Sequence, residues 1–305
     1  MSEAESLVTP MLDQDAMQER ILDEALLAFG MSKQGWGRRL AGPVLRPACR
    51  AFGRLASGIE ADAAAYGLPE AARRLLPRFV DGVEVHGIER IPKDGPLLIA
   101  CNHPGAYDVV AVVANLPRQD IYVVVSEVPF YKLLPTASSH MIFSAYTVQG
   151  RMATLRGMLR RLQAGAVVLI FASGQVDPDP ALLPGAAEDL ALWSASLELV
   201  LRKSPGTRFL PAIVSGVLAR QPLHSPLLRL QNEEWRKRKL AEFLQVIQQL
   251  IFKRNFHLRP RLTFGEALLA SELLERHPGM DIQPAIVAEA RKVLQDHQNS
   301  ATQGE

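Results

Sequence analysis

The stretch that decides the fold is residues 97–108, LLIACNHPGAYD. Its first four residues, Leu97–Ala100, are continuously apolar and follow a Gly-Pro turn, which is typical of a buried strand. Asn102 and His103 follow, and Pro104 stands where we expect a helix to begin, because proline is favoured at the first helical position. Ligands bind at such strand-to-helix junctions in parallel sheets. The stretch therefore predicts an α/β fold with a site at the end of this strand.

Apolar runs elsewhere in the chain predict the rest of the sheet. Further strands are predicted over Gly82–Gly87, Asp120–Ser126, Ala166–Phe171, Phe209–Ser215 and Arg261–Phe264. Helical patterns separate several of them, for example Met152–Gln163. Continuous Val, Ile and Leu runs between helices predict a mixed, largely parallel sheet flanked by helices.

Three regions differ in character. Residues 1–80 are rich in Ala, Arg and Leu and predict an N-terminal helical region, with helices over Ala16–Leu27 and Glu70–Val80. Residues 81–270 carry the α/β domain. Residues 271–305 predict one C-terminal helix, Pro284–Asp296, followed by a polar end that we expect to fray.

The composition excludes several classes of protein. The chain has 305 residues, of which 48% are apolar and 22% charged, and a net charge of +2. We therefore expect a globular protein with no nucleic-acid partner. Cys49 and Cys101 have no partner at zinc-ligand spacing, and the histidines are scattered. We expect no metal site, no disulfide and a cytoplasmic location. The start of the chain lacks an apolar signal core, and no apolar run approaches the ~20 residues that span a bilayer.

A basic segment, Lys33–Arg54, has six basic residues, and no acid follows until Glu60. Trp36 and other large apolar residues interleave with the charges. This pattern favours peripheral contact with the cytoplasmic face of a membrane, and the alternative is a solvated helix that packs on the main domain. Pro43 and Pro47 are expected to interrupt any long helix here.

His103 and Asp108 are the candidate catalytic pair. Five residues turn a regular helix by about 140° past one full circle, so the two side chains would not share a helical face. They can meet only if His103 lies in a non-helical lead-in, which Pro104 and Gly105 make feasible. An imidazole held by a carboxylate can act as a general base. The alternative is a capping histidine beside a surface aspartate.

Residues 102–108 resemble the N-H-x4-D signature of the glycerolipid acyltransferases, the lysophosphatidate acyltransferase-like family. Other landmarks follow in the family's order: Arg151 in VQGR, GAVVLIF at 165–171, FLPAIV at 209–214 and PRLTFGE at 260–266. The resemblance covers about residues 80–270. It implies that His103 is the general base, that Asp108 orients it, and that Arg151 contacts the acceptor.

The third motif departs from the family pattern. Where the family usually has Phe-Pro-Glu-Gly followed by an arginine, this chain has FASGQVD at 171–177. The resemblance makes Ser173, Gly174 and Gln175 acceptor-binding candidates, although Ser173 replaces the glutamate. Gly174 still permits the turn.

Two acids after this turn bear on the acceptor. Asp177 and Asp179 would repel a phosphate dianion. Either the acceptor hydroxyl belongs to something other than a glycerol phosphate, or another cation, such as Arg151 or Arg156, carries the phosphate. A degenerate, inactive copy is a third possibility.

The predicted reaction moves a fatty acyl group from an acyl thioester to the hydroxyl of a lipid acceptor. Acyl-CoA or acyl carrier protein is the expected co-substrate, and no bound cofactor is expected. Backbone N–H groups after His103, or in the Ser173–Gly174 turn, are the expected oxyanion donors. A thioester or ester hydrolase that uses the same pair on water, and a non-enzymatic lipid-binding module, are the alternatives.

Three weaker candidates complete the sequence reading. Asn102 is interpreted as a helix cap, with positioning of His103 as the alternative. Tyr107 either lines the acyl channel or packs. The basic run Arg236–Lys239 is either a solvated face or a contact for anionic headgroups or coenzyme A phosphates.

Overall fold

The computed structural model describes residues 14–28, 31–105, 107–145 and 147–302. Within these residues, seven strands form one sheet in the order β1-β7-β6-β2-β5-β3-β4. The strands are β1 Glu84–His86, β2 Leu97–Cys101, β3 Ile121–Ser126, β4 Met141–Ser144, β5 Val167–Phe171, β6 Arg208–Ser215 and β7 Arg261–Phe264. Neighbouring strands are parallel except β6 and β7, which are antiparallel. The predicted mixed, largely parallel sheet is confirmed.

Helices cover both faces of the sheet. They are α1 Gln14–Ala28, α2 Trp36–Tyr66, α3 Leu68–Leu75, α4 Asp108–Asn115, α5 Pro135–Ser139, α6 Val148–Gln163, α7 Ala186–Asp189, α8 Ser196–Lys203, α9 Arg220–Leu223, α10 Glu234–Ile251, α11 Ala270–Arg276 and α12 Ile282–Thr302. Side chains alternate along the fully buried strand β2. Leu97 and Ile99 pack in one core with α3 and α4, whereas Leu98 and Ala100 pack with α6, α8 and α12.

The N-terminal helices form a third core. Met17 and Leu22 of α1 pack against Cys49 of α2 and against Phe130 and Leu134, which precede α5. The prediction that prolines interrupt a long helix here is wrong, because α2 runs unbroken through both of them. Both prolines lie on its exposed side, where water can hydrogen-bond the carbonyl groups that lose a partner.

Several element bounds differ from the sequence reading. Helix α4 begins at Asp108, four residues after Pro104, and β4 was not predicted. Two helices, not one, follow residue 269, and α12 continues through the expected polar end to Thr302. Helix α3 ends at Leu75, and a 3-10 turn over Leu76–Arg78 follows, because Pro77 has no N–H to continue the α-helical hydrogen bonds. Residues 1–13 and 303–305 lie outside the described residues. The start of the chain, for which no apolar signal core was predicted, is among them.

Candidate active site

The main chain leaves the sheet at the end of β2, and Asn102 holds this exit. Its side-chain Nδ2 donates to Val214 O at 2.9 Å, and its Oδ1 accepts from Val214 N at 2.8 Å. The amide therefore continues the pairing of β2 with β6 by one residue. The interpretation of Asn102 as a helix cap is wrong, since it caps no helix and instead fixes the residue before His103.

The structure brings His103 and Asp108 together. Asp108 Oδ2 lies 2.7 Å from His103 Nδ1, and the Asp108 carboxylate is almost fully buried. The same carboxylate accepts from the backbone N–H groups of Gly105, at 3.0 Å, and Val109, at 2.5 Å. Because α4 begins at Asp108, His103 lies in a non-helical lead-in. The pairing fixes the tautomer and leaves His103 Nε2 available, on a side chain that is 31% exposed.

Carboxylates dominate the electrostatics around His103. Burial alone would lower the pKa of the imidazole, but the charge and hydrogen bond of Asp108, with weaker effects from Glu242 and Asp177, raise that pKa to about 9. The ring also packs against Phe171 at the end of β5, with centroids 4.7 Å apart. The resting imidazole is therefore mostly protonated at neutral pH.

The turn after β5 is held by its own polar groups. The Ser173 hydroxyl donates to Gln175 O at 3.0 Å and accepts from Gln175 N at 3.3 Å, while Gly174 N donates to Phe171 O at 3.2 Å. Gly174 has a φ of +71°, which favours glycine. These N–H groups already have partners, so the expectation that Gly174 supplies an oxyanion donor does not fit the structure.

The two acids after the turn have structural partners. Asp177 Oδ2 accepts from His103 N at 2.7 Å. Asp179 is fully buried and accepts from four backbone N–H groups, of which Gly216 and Val217 follow β6. The prediction that both acids repel a phosphate does not fit Asp179, because its buried carboxylate binds main-chain N–H groups and does not face an acceptor.

Gly105 lies close to Glu242 and Val176 in the loop that follows His103. Its φ is +95°, and a Cβ there would lie 2.8 Å from Glu242 Oε2 and 3.4 Å from Val176 Cγ1. Neither Gln175 nor Val176, which follow Gly174, supplies the positive charge of the family's arginine. An apolar side chain and a carboxylate thus border the approach to His103.

Other sequence candidates lie outside this cluster. Arg151 is exposed in the first turn of α6, and its guanidinium has no hydrogen bond or ion pair with the described residues. Tyr107 packs: its ring stacks on Phe79 at 4.3 Å, and its hydroxyl accepts from Gln245. The basic run in α10 is largely neutralised, since Arg236, Lys237 and Arg238 pair with Glu233, Glu234 and Asp189. Among the described residues, no group of three or more His, Cys, Asp or Glu is placed to hold a metal ion.

Sequence reasoning missed three contributors to the site. Phe171 and Asp177 were recognised only as parts of the divergent motif, and Glu242 lies far along the chain in α10. The position of Phe171 at the end of β5 was a usable signal, because the carboxyl ends of adjacent parallel strands meet at one edge. No sequence signal places Glu242 beside His103.

The fold is that of an α/β protein, and it places the candidate His–Asp pair at the carboxyl ends of parallel strands. Residues 82–207 match the family model described as Acyltransferase. This match confirms the resemblance to the acyltransferases found in the ordered motifs, and the protein is an O-acyltransferase.

No curated protein matches the sequence. Among solved structures, the 1-acyl-sn-glycerophosphate (LPA) acyltransferase PlsC from Thermotoga maritima matches at 13% identity with a TM-score of 0.44. The match covers 92% of this chain and 96% of that chain.

Proposed function

We propose that this acyltransferase moves a fatty acyl group from an acyl thioester, carried by coenzyme A or acyl carrier protein, to the hydroxyl of a lipid acceptor. The observation that carries the proposal is the 2.7 Å contact between His103 Nδ1 and Asp108 Oδ2 beside a partly exposed ring. The side-chain amide of Asn102, the residue before His103, is hydrogen-bonded to Val214, so the main chain that carries the imidazole is fixed.

In the proposed reaction, neutral His103 takes the acceptor's hydroxyl proton at Nε2 as the oxygen attacks the thioester carbonyl carbon. Asp108 stabilises the imidazolium that forms. The tetrahedral intermediate then expels the thiolate, which receives the proton from Nε2. The products are an ester and a free thiol, and no acyl-enzyme is formed. Deprotonation of His103 is a prerequisite, because its resting pKa is about 9.

We further propose that the acceptor hydroxyl does not sit beside a phosphate. The wall of the site carries Val176 and Glu242 against Gly105, and Asp177 lies behind His103. A phosphate dianion would lose hydration there and meet carboxylates instead of cations. A lipid with an uncharged or cationic headgroup meets no such repulsion.

A product screen tests the chemistry. Purified protein receives an isotopically labelled acyl-CoA or acyl carrier protein with lysophosphatidate, glycerol phosphate or uncharged lyso-lipids, and products are identified by mass spectrometry. We expect acylation of an uncharged acceptor that His103→Ala abolishes. His224→Ala is the matched control, because His224 is exposed and hydrogen-bonds only its own helix.

Two outcomes would contradict the proposal. Turnover retained in the His103→Ala variant removes the general-base role. Free fatty acid released at the same rate with and without acceptor identifies a hydrolase instead. Efficient acylation of lysophosphatidate, with uncharged lyso-lipids inert, would overturn the acceptor assignment alone.

We propose that the enzyme docks on the cytoplasmic face of a membrane through one side of α2. Trp36, Leu40 and Val44 are spaced by four residues and are 79%, 68% and 77% exposed. Arg50 and Arg54 are also exposed and fall within about 40° of Trp36 around the helix. Such a face suits the boundary between anionic headgroups and acyl chains.

Only part of the basic segment Lys33–Arg54 is available for contact with a membrane. Of the basic segment Lys33–Arg54, Arg38 and Arg46 pair with acids of α1, as does Lys33. None of the helices in the described residues is both long and apolar enough to cross a bilayer.

Vesicle sedimentation tests the docking face. The triple variant Trp36→Ser, Leu40→Ser, Val44→Ser should bind phosphatidylglycerol vesicles less than the unaltered protein does. Added salt should weaken vesicle binding by the unaltered protein. The matched control is the double variant Leu192→Ser, Leu199→Ser. Both leucines are exposed; Leu192 precedes α8 and Leu199 lies within it. Equal sedimentation of the triple variant and the control would rule out this face.

A further inference from the structure

We infer that Asp177 is a positioning residue for His103, supplying from the end of the third motif a carboxylate that grips the main chain of the catalytic histidine. The inference rests on the proposed role of His103 as the base. Its grounds are the contacts of the turn after β5, where Ser173 stands in place of the family's glutamate.

Two hydrogen bonds join Asp177 to His103. The carboxylate Oδ2 accepts from His103 N at 2.7 Å, and the backbone N–H of Asp177 donates to His103 O at 2.6 Å. Both polar groups of the His103 main chain are thereby fixed. Strands β2 and β5 are adjacent and paired up to Cys101 and Phe171. The two hydrogen bonds between Asp177 and His103 therefore connect the segments that follow these strands.

The hydrogen bond from His103 N to the Asp177 carboxylate is charge-assisted and lies inside the protein. Asp177 is 3% exposed, and its second oxygen, Oδ1, is buried without a hydrogen-bond partner. A hydrogen bond to an ionised carboxylate is stronger than one between neutral groups. An asparagine of equal size would weaken the bond to His103 N because its side chain carries no charge.

Asp179 offers a control within the same loop. It is as deeply buried as Asp177 and also accepts backbone N–H groups, but its partners are Ala181 and residues 216–218. Asp177→Asn and Asp179→Asn should therefore both destabilise the loop. Only the first touches His103.

Steady-state kinetics and a histidine titration separate the two roles. Asp177→Asn should lower kcat by about 10- to 100-fold, the effect of a small misplacement of a reacting group, with KM for the acyl thioester unchanged. The NMR titration midpoint of His103 should also fall, since the facing charges of Asp108 and Glu242 then act without that of Asp177. Asp179→Asn, scaled to folded protein, should keep kcat within about twofold and leave that midpoint in place.

A measurement on the unaltered protein covers the case in which Asp177→Asn does not fold. The amide proton of His103 should shift as the carboxyl group of Asp177 titrates, and it should resist hydrogen exchange. An amide insensitive to acidification, or equal kinetic losses in the two variants, would overturn the inference. If His103→Ala remains active, the proposed function fails; if only the Asp177 results fail, the positioning role alone is lost.

Discussion

The substitution Asp108→Asn gives the sharpest test of the electrostatics around His103. It preserves the size of the buried side chain but removes the charge that contributes most to raising the imidazole pKa to about 9. Without that charge we expect the pKa to return towards its ordinary value of 6.5. Two effects then oppose each other, because the variant gains neutral imidazole at low pH but loses its orienting carboxylate.

The pH dependence separates these effects. For a pKa of about 9, the neutral fraction of His103 rises from about 0.3% at pH 6.5 to about 75% at pH 9.5. For a pKa of 6.5, the neutral fraction only doubles over the same interval. The ratio of rates, unaltered protein over variant, should therefore grow about 100-fold from pH 6.5 to 9.5. At pH 9.5 the loss should reach about 10²–10⁴-fold, the range of general-base catalysis.

The assay is the initial rate of acyl-acceptor formation between pH 6.5 and 9.5, measured by mass spectrometry with the uncatalysed rate subtracted at each pH. Asp94→Asn, in an exposed turn, is the control for loss of a negative charge. Parallel pH profiles for Asp108→Asn and the unaltered protein would refute the reasoning. So would an unaltered rate that already levels off below pH 8.

Three further predictions concern stability. Gly105→Ala should lower the free energy of unfolding by about 1–3 kcal/mol and abolish transfer, because its φ is positive and a Cβ would collide with Glu242; urea unfolding checks this. Glu60→Ala should cost about 2–4 kcal/mol in the same assay, with activity per folded molecule unchanged, since two N–H groups near the start of α5 lose their acceptor. Burial lowers the pKa of His297 to about 4, so below about pH 6.5 the unfolded state binds a proton that the folded state does not. This group should lower the free energy of unfolding by about 2 kcal/mol between pH 7 and 5, and the loss over that interval should be smaller in His297→Gln.

Much of the sheet could be predicted from sequence, because its strands are apolar on both faces and therefore appear as continuous runs. The predicted Arg261–Phe264 coincides with β7, and Ala166–Phe171 exceeds β5 by one residue. Strand β4 is only four residues long and ends in a serine. Its partner β3 determines its conformation, and no local pattern reports that pairing.

Helix prediction failed where tertiary contacts outweigh local preference. Pro43 would be expected to end α2, but the buried side of that helix packs against α1 and α5, while the proline faces solvent. The start of α4 was placed too early because Pro104 was taken as the first helical residue. The capping geometry instead centres on Asp108, whose carboxylate serves the N–H groups ahead of and within the first turn.

In the candidate site, contacts between residues close in sequence could be predicted, and contacts between distant segments could not. His103 and Asp108 are only five positions apart in the sequence, so their pairing was accessible to spacing arguments. The grip of Asp177 on His103 N and the approach of Glu242 to Gly105 join segments far apart in the chain. Such contacts depend on how strand ends and α10 assemble, which one sequence does not report.

The double hydrogen bond of Asn102 has a practical consequence for anyone who redesigns this enzyme. It anchors the residue before His103 with a neutral group, whereas Asp108 and Asp177 both hold His103 and place negative charge near its ring. Glu242 also raises the pKa of the imidazole, and its exchange leaves the neutral anchor at Asn102 unchanged. Glu242 is therefore the acidic neighbour to replace when the proton affinity of His103 is to be altered.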